Sequence, residues 1–352
     1  MENVRKNPLS MQIDPALFEP ATEDEKRQQE VMSESVTFFR DGMRKLMKNP
    51  LAVGSIIVLV LIIVTILVAP LIVPYGYADI LKVNGKRDRT NKNLSAFEYS
   101  EMEQKYIDEG GKVFPHIMGT DSLGRDYFIR VVYGARVSLT VGLFASILVL
   151  IIGVIYGSIA GYSGGRADLI MMRIVDIIYS LPDMLIIILL SVVLKERLGS
   201  SQNFLIKTLG ANMISIFIVF GLLYWVSMAR LVRGQILTIK NNEYILAAKA
   251  IGAKPAHIIR KHIIPNCISV IIITTALQIP SAIFTESFLS FVGMGVEAPM
   301  PSLGSLANAA REGLQSYPSQ LVYPAVLIVL IVLAFNLLGD GLRDAFDPKL
   351  RR

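Results

Sequence analysis

Six long apolar runs decide what this chain can fold into. They lie near 51–73, 137–161, 169–194, 212–232, 268–293 and 323–342. Each can cross a hydrocarbon core of ~30 Å as a helix of about 20 residues. Their apolarity is continuous rather than alternating, so they predict helices and not barrel strands. Only 18% of the residues are charged, against roughly a quarter in soluble domains, and mean hydropathy is +0.51. The expected fold class is an all-α integral membrane protein with six transmembrane helices.

The formal net charge of +6 comes from Lys and Arg placed beside the runs, not gathered on one face, which excludes a nucleic-acid surface and points to the positive-inside rule. Arg40, Arg44, Lys45 and Lys48 precede the first run, and Arg343, Lys349, Arg351 and Arg352 follow the last. Both termini are therefore expected in the cytoplasm of a bacterial cell, on a multi-pass protein of its inner (cytoplasmic) membrane. The basic segment 233–266 then falls inside as well. The 74–136 loop falls outside, and it is long enough to be translocated whatever its charge. About 50 polar residues precede the first run, which is expected to act as the uncleaved targeting element. A single cysteine, Cys267, permits no intramolecular disulfide.

The chain divides accordingly. Residues 1–35 are acidic and poor in large apolar groups, as in a disordered cytoplasmic tail. In 36–48, Val36, Phe39, Met43 and Leu46 recur at helical spacing opposite Arg40, Arg44 and Lys45, as in a helix lying in the membrane interface or a plain juxtamembrane linker. The first span occupies 49–73 and a small external subdomain 74–136. The remaining core runs over 137–345, with its cytoplasmic loop at 233–266, and a short cytoplasmic tail follows at 346–352.

The loop has a readable shape. Asn242 is placed to cap a helix that carries Glu243 in its first turn, and Gly252 suits a left-handed ending. Pro255 suits the first turn of a second helix, and Pro265 is expected to stop that helix before the next span. On the first helix, Tyr244, Ala247, Ala248 and Ile251 fall at i, i+3, i+4 and i+7. They form an apolar stripe that must cover either the underside of the bundle or a groove on a partner. Ala247-Ala248, Gly252 and Ile264-Pro265 are similar to the "EAA" loop of ABC importer permeases, with Leu246 and His262 standing where that family has Glu and Ile. The resemblance implies that Glu243, Tyr244, Ala247, Ala248, Ile251, Gly252 and Pro265 couple the chain to a separate ATP-hydrolysing subunit.

Ahead of the second run stand His116, Gly119-Thr120-Asp121, Gly124-Arg125-Asp126, Arg130 and Tyr133-Gly134-Ala135-Arg136. Gly119-Thr120-Asp121 reads as a turn with Asp121 as a cap, and Arg125 and Asp126 offer ion-pair partners. The string resembles the segment before the second span in the C-type permease subunit of oligopeptide and dipeptide importers. So do 285–295 with Pro299, Pro301 and Gly304, and 336–344 with Asp347-Pro348. The resemblance implies that His116, Gly119, Thr120, Asp121, Gly124, Arg125 and Asp126 lie on the side of an external receptor. It further implies a heterodimer with a homologous B-type permease, two ATP-binding subunits carrying ATP and Mg, and an external peptide-binding protein, all embedded in or attached to the lipid bilayer.

Ionisable groups inside spans are costly and need explaining. Glu286, with Ser287 and Ser290 beside it, is the pathway candidate, either facing a lumen or buried in a helix contact. Asp176 follows Arg173 at i+3, which permits a local pair, Asp183 follows Pro182 at an expected kink, and Asp340 lies near Arg343. No Gly-x4-Gly-Lys-Ser/Thr loop and no Gly-x-Ser-x-Gly elbow occurs, and His257 and His262 are spaced i+5 rather than as an i, i+4 zinc pair. The chain is therefore expected to be no enzyme and to carry no cofactor or metal of its own. An importer of the same family for nickel or glutathione, or a lone ion-driven carrier using Glu286 and Asp176, are the alternatives.

Overall fold

The computed structural model describes residues 38–199, 210–296 and 299–346. The expected tail at 1–35 and all but Phe346 of the tail at 346–352 lie outside them. The chain divides into two compact units, Met1–Asp41 and Gly42–Arg352, and only Phe38–Asp41 of the first are described, as the start of helix α1 (Phe38–Leu46).

Helix α2 (Pro50–Ile72) is the first span. Its opening N–H groups at Leu51 and Ala52 donate to the Asn49 side chain, and its proline stands in the first turn, where the missing N–H leaves nothing unpaired. The external subdomain begins with hairpin strands β1 (Lys82–Val83) and β2 (Lys86–Arg87), joined by Asn84-Gly85, both with left-handed φ, a turn that matches strand twist. Helix α3 (Glu101–Asp108) follows. Helix α4 (Tyr127–Ser163) starts ten residues before the expected span, because Asp126 accepts from the Ile129 N–H and caps it there. The subdomain therefore ends at Asp126, not at 136.

The third apolar run is not one helix. Helices α5 (Gly165–Tyr179) and α6 (Asp183–Gly199) meet at 85° across Ser180-Leu181-Pro182, since a proline removes a ladder donor and pushes its predecessor out of helical geometry. The fourth span is made of α7 (Ala211–Leu223) and α8 (Trp225–Ile239). The loop that follows holds α9 (Glu243–Ala250) and α10 (Pro255–Ile258), and α11 (Ile264–Phe291) is the fifth span. A short helix α12 (Leu303–Ala310) precedes the sixth, α13 (Pro318–Phe346). Five unbroken apolar stretches and one bent pair thus match the six expected crossings.

Pro265 does not end a helix. The turn Ile259–Ile263 widens instead, so that the Ile264 N–H donates to the Ile259 carbonyl five residues back, and helix continues from Pro255 to Phe291. Such a wide turn lets a helix pass the carbonyl that a proline cannot bond.

The most extensive helix contact joins α4 to α8. Gly153, Gly157 and Gly161 recur every fourth residue and face Met228, Ala229, Val232 and Ile236. A Cβ on Gly157 would lie 2.5 Å from the Ala229 carbonyl oxygen, so any side chain there drives the helices apart. In a bilayer, where lipid is as apolar as leucine, such backbone approach is what holds helices together. Two ion pairs tie α5 to α8: Arg233 meets Asp168 with two bonds of 2.6 Å, and Arg230 meets Asp176 at 2.8 Å. Asp176 therefore bonds across helices to Arg230, where its spacing permitted a local pair with Arg173. Among the described residues, Asp340 and Arg343 make no ion pair.

Candidate functional site

Three regions hold the residues singled out by sequence. In the loop between the fourth and fifth spans, Asn242 occupies the cap position of α9 without a side-chain bond; its carbonyl serves instead, accepting from Ile245 and Leu246. The helix ends with Gly252 at φ +81°, where Ala253 N–H reaches the Ala248 carbonyl at 3.0 Å and Gly252 N–H reaches that of Lys249 at 3.0 Å. This is a paired C-terminal cap that only a residue at home in left-handed backbone completes without strain. The stripe splits in two. Ala248 turns inward with Ile245, and these join Ile258 and Ile263 in one cluster with Val149 of α4, Met228, Val232 and Ile236 of α8 and Cys267 of α11. Tyr244, Ala247 and Ile251 face out, and Ile251 is 86% exposed. Glu243, Gly252 and Pro265 are exposed as well.

In the subdomain between the first two spans, His116 is fully buried. Its Nδ1 lies 2.9 Å from Asp126 and its Nε2 3.0 Å from Glu103, and Tyr75 stacks on the ring at 5.2 Å. Burial alone would depress the imidazole, but the two carboxylates outweigh it and raise its pKa to about 9, so it is an imidazolium at neutral pH. Glu103 also closes the capping box of α3 with Ser100, whose hydroxyl bonds Asp88. Burial would raise the Asp88 carboxyl, but hydrogen bonds from Ser100 and Thr90 hold it below the ordinary range. The Asp121 carboxylate accepts from Leu123 and Arg125 N–H groups, pairs with Arg125 at 2.7 Å and lies 3.4 Å from Arg130. The Thr120 hydroxyl accepts from the Leu94 N–H at 2.9 Å. Gly119 and Gly124 both adopt left-handed φ, and a side chain on Gly124 would strike Asn91. The seven motif residues are thus spent on holding the subdomain to the start of α4.

Within the membrane core, Glu286 has no exposed surface. Ser138 and Ser290 hydroxyls donate to it at 2.7 Å each, and Ser287 lies at 3.4 Å. Ser138 also accepts the Leu303 N–H at 3.3 Å. Glu286, Ser287 and Ser290 therefore sit at a junction of α4, α11 and α12, and none lines an open cavity. The cavity lies elsewhere, about 510 Å³ in volume, at the α5–α6 break. Leu181, Pro182, Asp183, Tyr224, Ser227, Gln278 and Ser281 are on its wall. Sequence pattern marked Pro182 and Asp183 there; Gln278 and Ser281, from the same helix as Glu286, were legible only as polar residues three apart inside an apolar run. Among the described residues no group of three side chains is placed to hold a metal ion.

A bundle of six apolar crossings with a helical loop packed against it defines a multi-pass membrane protein, and sequence comparison gives its family. Residues 153–352 match the model of the binding-protein-dependent transport system inner membrane component family, and the chain belongs to that family. Residues 37–95 match a narrower model, the N-terminal TM domain of oligopeptide transport permease C. The oligopeptide transport system permease protein OppC of Bacillus subtilis is 39% identical over 100% of both chains. The dipeptide transport system permease protein DppC of the same organism is 42% identical over 90% of this chain and 88% of its own. OppC of Haemophilus influenzae is 38% identical over 92% and 93%.

Proposed function

We propose that this chain forms half of the translocation pathway of an ATP-driven importer of oligopeptides or dipeptides. It pairs with a homologous B-type permease, receives peptide from an external binding protein, and couples through 243–265 to two subunits that bind ATP and Mg. Its termini and this loop are cytoplasmic. The observation that carries the reading is the two-sidedness of α9: Tyr244, Ala247 and Ile251 present an apolar face to the outside, while Ile245 and Ala248 are locked into the cluster that reaches α4, α8 and α11. A push on the outer face is thereby delivered to three spans at once. The family and the printed names of the relatives support the peptide assignment.

A lone ion-driven carrier is the weaker reading, because the two carboxylates it would use are engaged, Glu286 by serines and Asp176 by Arg230. The test is Gly252→Val in the assembled importer. A β-branched residue in left-handed backbone is strained by roughly 1–2 kcal/mol or more, which reshapes the cap of α9 without touching the spans. Peptide uptake is expected to fall about tenfold or more while the complex still hydrolyses ATP. Uptake equal to wild type would overturn the coupling role.

A further inference from the structure

The cavity at the α5–α6 break is built from the middles of three apolar segments. Ser180-Leu181-Pro182 lies halfway along 165–199, Tyr224 halfway along 211–239, and Gln278 and Ser281 halfway along α11. The cavity is therefore at the depth of the bilayer centre. A helix break exposes backbone groups that have lost their ladder partners, and lipid cannot satisfy them. Asp183 adds an exposed carboxylate on the same wall, and among the described residues no Lys or Arg pairs with it. Arg230, which stacks at 4.1 Å on the wall residue Tyr179, is already bound to Asp176. A carboxylate that accepts the Met184 N–H at 2.9 Å but has no cationic partner among the described residues requires watery surroundings at that depth.

The other polar wall side chains are neutral: the hydroxyls of Tyr179, Ser227 and Ser281, that of Tyr224, which also bonds Thr285 at 2.7 Å, and the amide of Gln278. Each both donates and accepts, which suits backbone amides of any sequence. The cavity volume, about 510 Å³, falls within the range of small-ligand sites, about 300–1,000 Å³. What every unmodified peptide carries is a terminal ammonium. We infer that this cavity is a station on the passage, where Asp183 supplies the counter-charge for the amino end, and for cationic side chains, of a passing peptide. The inference rests on the peptide-importer reading.

The full importer, with its partner subunits and receptor, is reconstituted in vesicles and given a cationic and an anionic tripeptide that the wild type imports. In Asp183→Asn the ratio of cationic to anionic uptake is expected to fall about tenfold, the lower end of what a charge-assisted hydrogen bond contributes, and Asp183→Glu is expected to restore it. Unchanged uptake of both peptides, or an equal fall for both that Asp183→Glu does not restore, overturns the site while leaving peptide import standing. A wild type that imports neither peptide defeats the underlying reading instead. Ser281→Cys gives a second measure, since the sole native cysteine, Cys267, is buried. A membrane-impermeant thiol reagent is expected to label Ser281→Cys in the assembled importer, and the cationic tripeptide to slow that labelling. No labelling would mean that another chain covers the cavity, and the inference would fall.

Discussion

The subdomain between the first two spans and the loop between the fourth and fifth are both motif-rich connections, and they use their side chains in opposite ways. In the subdomain, the polar groups satisfy one another: His116 is clamped by Glu103 and Asp126, and Asp121 by Arg125 and by the N–H groups of Leu123 and Arg125. In the loop, Ile245 and Ala248 of α9 are sunk in the core, while Tyr244, Ala247 and Ile251 are exposed. A motif whose groups are mutually consumed maintains shape, and one whose groups are left over serves contact. The same rule separates Glu286, ringed by serines, from Asp183, which faces a cavity.

The contrast is easiest to break at His116. Replacing it with Ala leaves two buried carboxylates facing one another, and breaking a buried charge pair costs about 3–5 kcal/mol. Thermal melting and limited proteolysis of the purified chain should show the 88–126 region opening first. A melt identical to wild type would mean that charge does not hold the subdomain.

Alkaline pH should have the next largest effect. Because His116 titrates at about 9 when folded against 6.5 ordinarily, its contribution is complete below about pH 6.5 and is lost as pH rises through about 9, on the order of 3 kcal/mol at most. Protease sensitivity of the external subdomain should rise between pH 7 and 10, whereas that of the cytoplasmic loop should not follow the same curve. The smallest change in stability is expected for Ile251→Glu, within about 0.5 kcal/mol, since the side chain is exposed. Uptake by the assembled importer should nonetheless drop sharply, and a variant that transports normally would show that the outer face of α9 is idle.

Much of this architecture was legible from hydropathy alone, because a bilayer leaves a chain few ways to satisfy its backbone. What escaped has local causes. Ser180-Leu181-Pro182 interrupts an apolar run too briefly to register as two helices, and the angle between α5 and α6 is set by packing. The face of α9 was ambiguous because Ile245, Leu246, Ala247, Ala248 and Ala250 are apolar nearly all round so short a helix, and only burial chooses Ile245 and Ala248. Pro265 looked like a stop because the widened turn that accommodates it has no sequence signature. The main partner of Glu286, Ser138, is 148 positions away, beyond any local pattern. The Asn84-Gly85 hairpin, by contrast, was there to be read.

Helix α4 runs unbroken for 37 residues, about 55 Å at 1.5 Å per residue. It begins at the clamp on Asp126, ends where the Lys240 ammonium bonds the Gly161 carbonyl, and lies backbone to backbone on α8 along its glycine stripe. It is a stiff spindle exceeding the membrane it crosses, seated in a socket at one face and wedged at the other. A helix of this length places residues at its two ends in one continuous backbone-bonded element, so the clamp at Asp126 and the 161–163 end belong to a single lever.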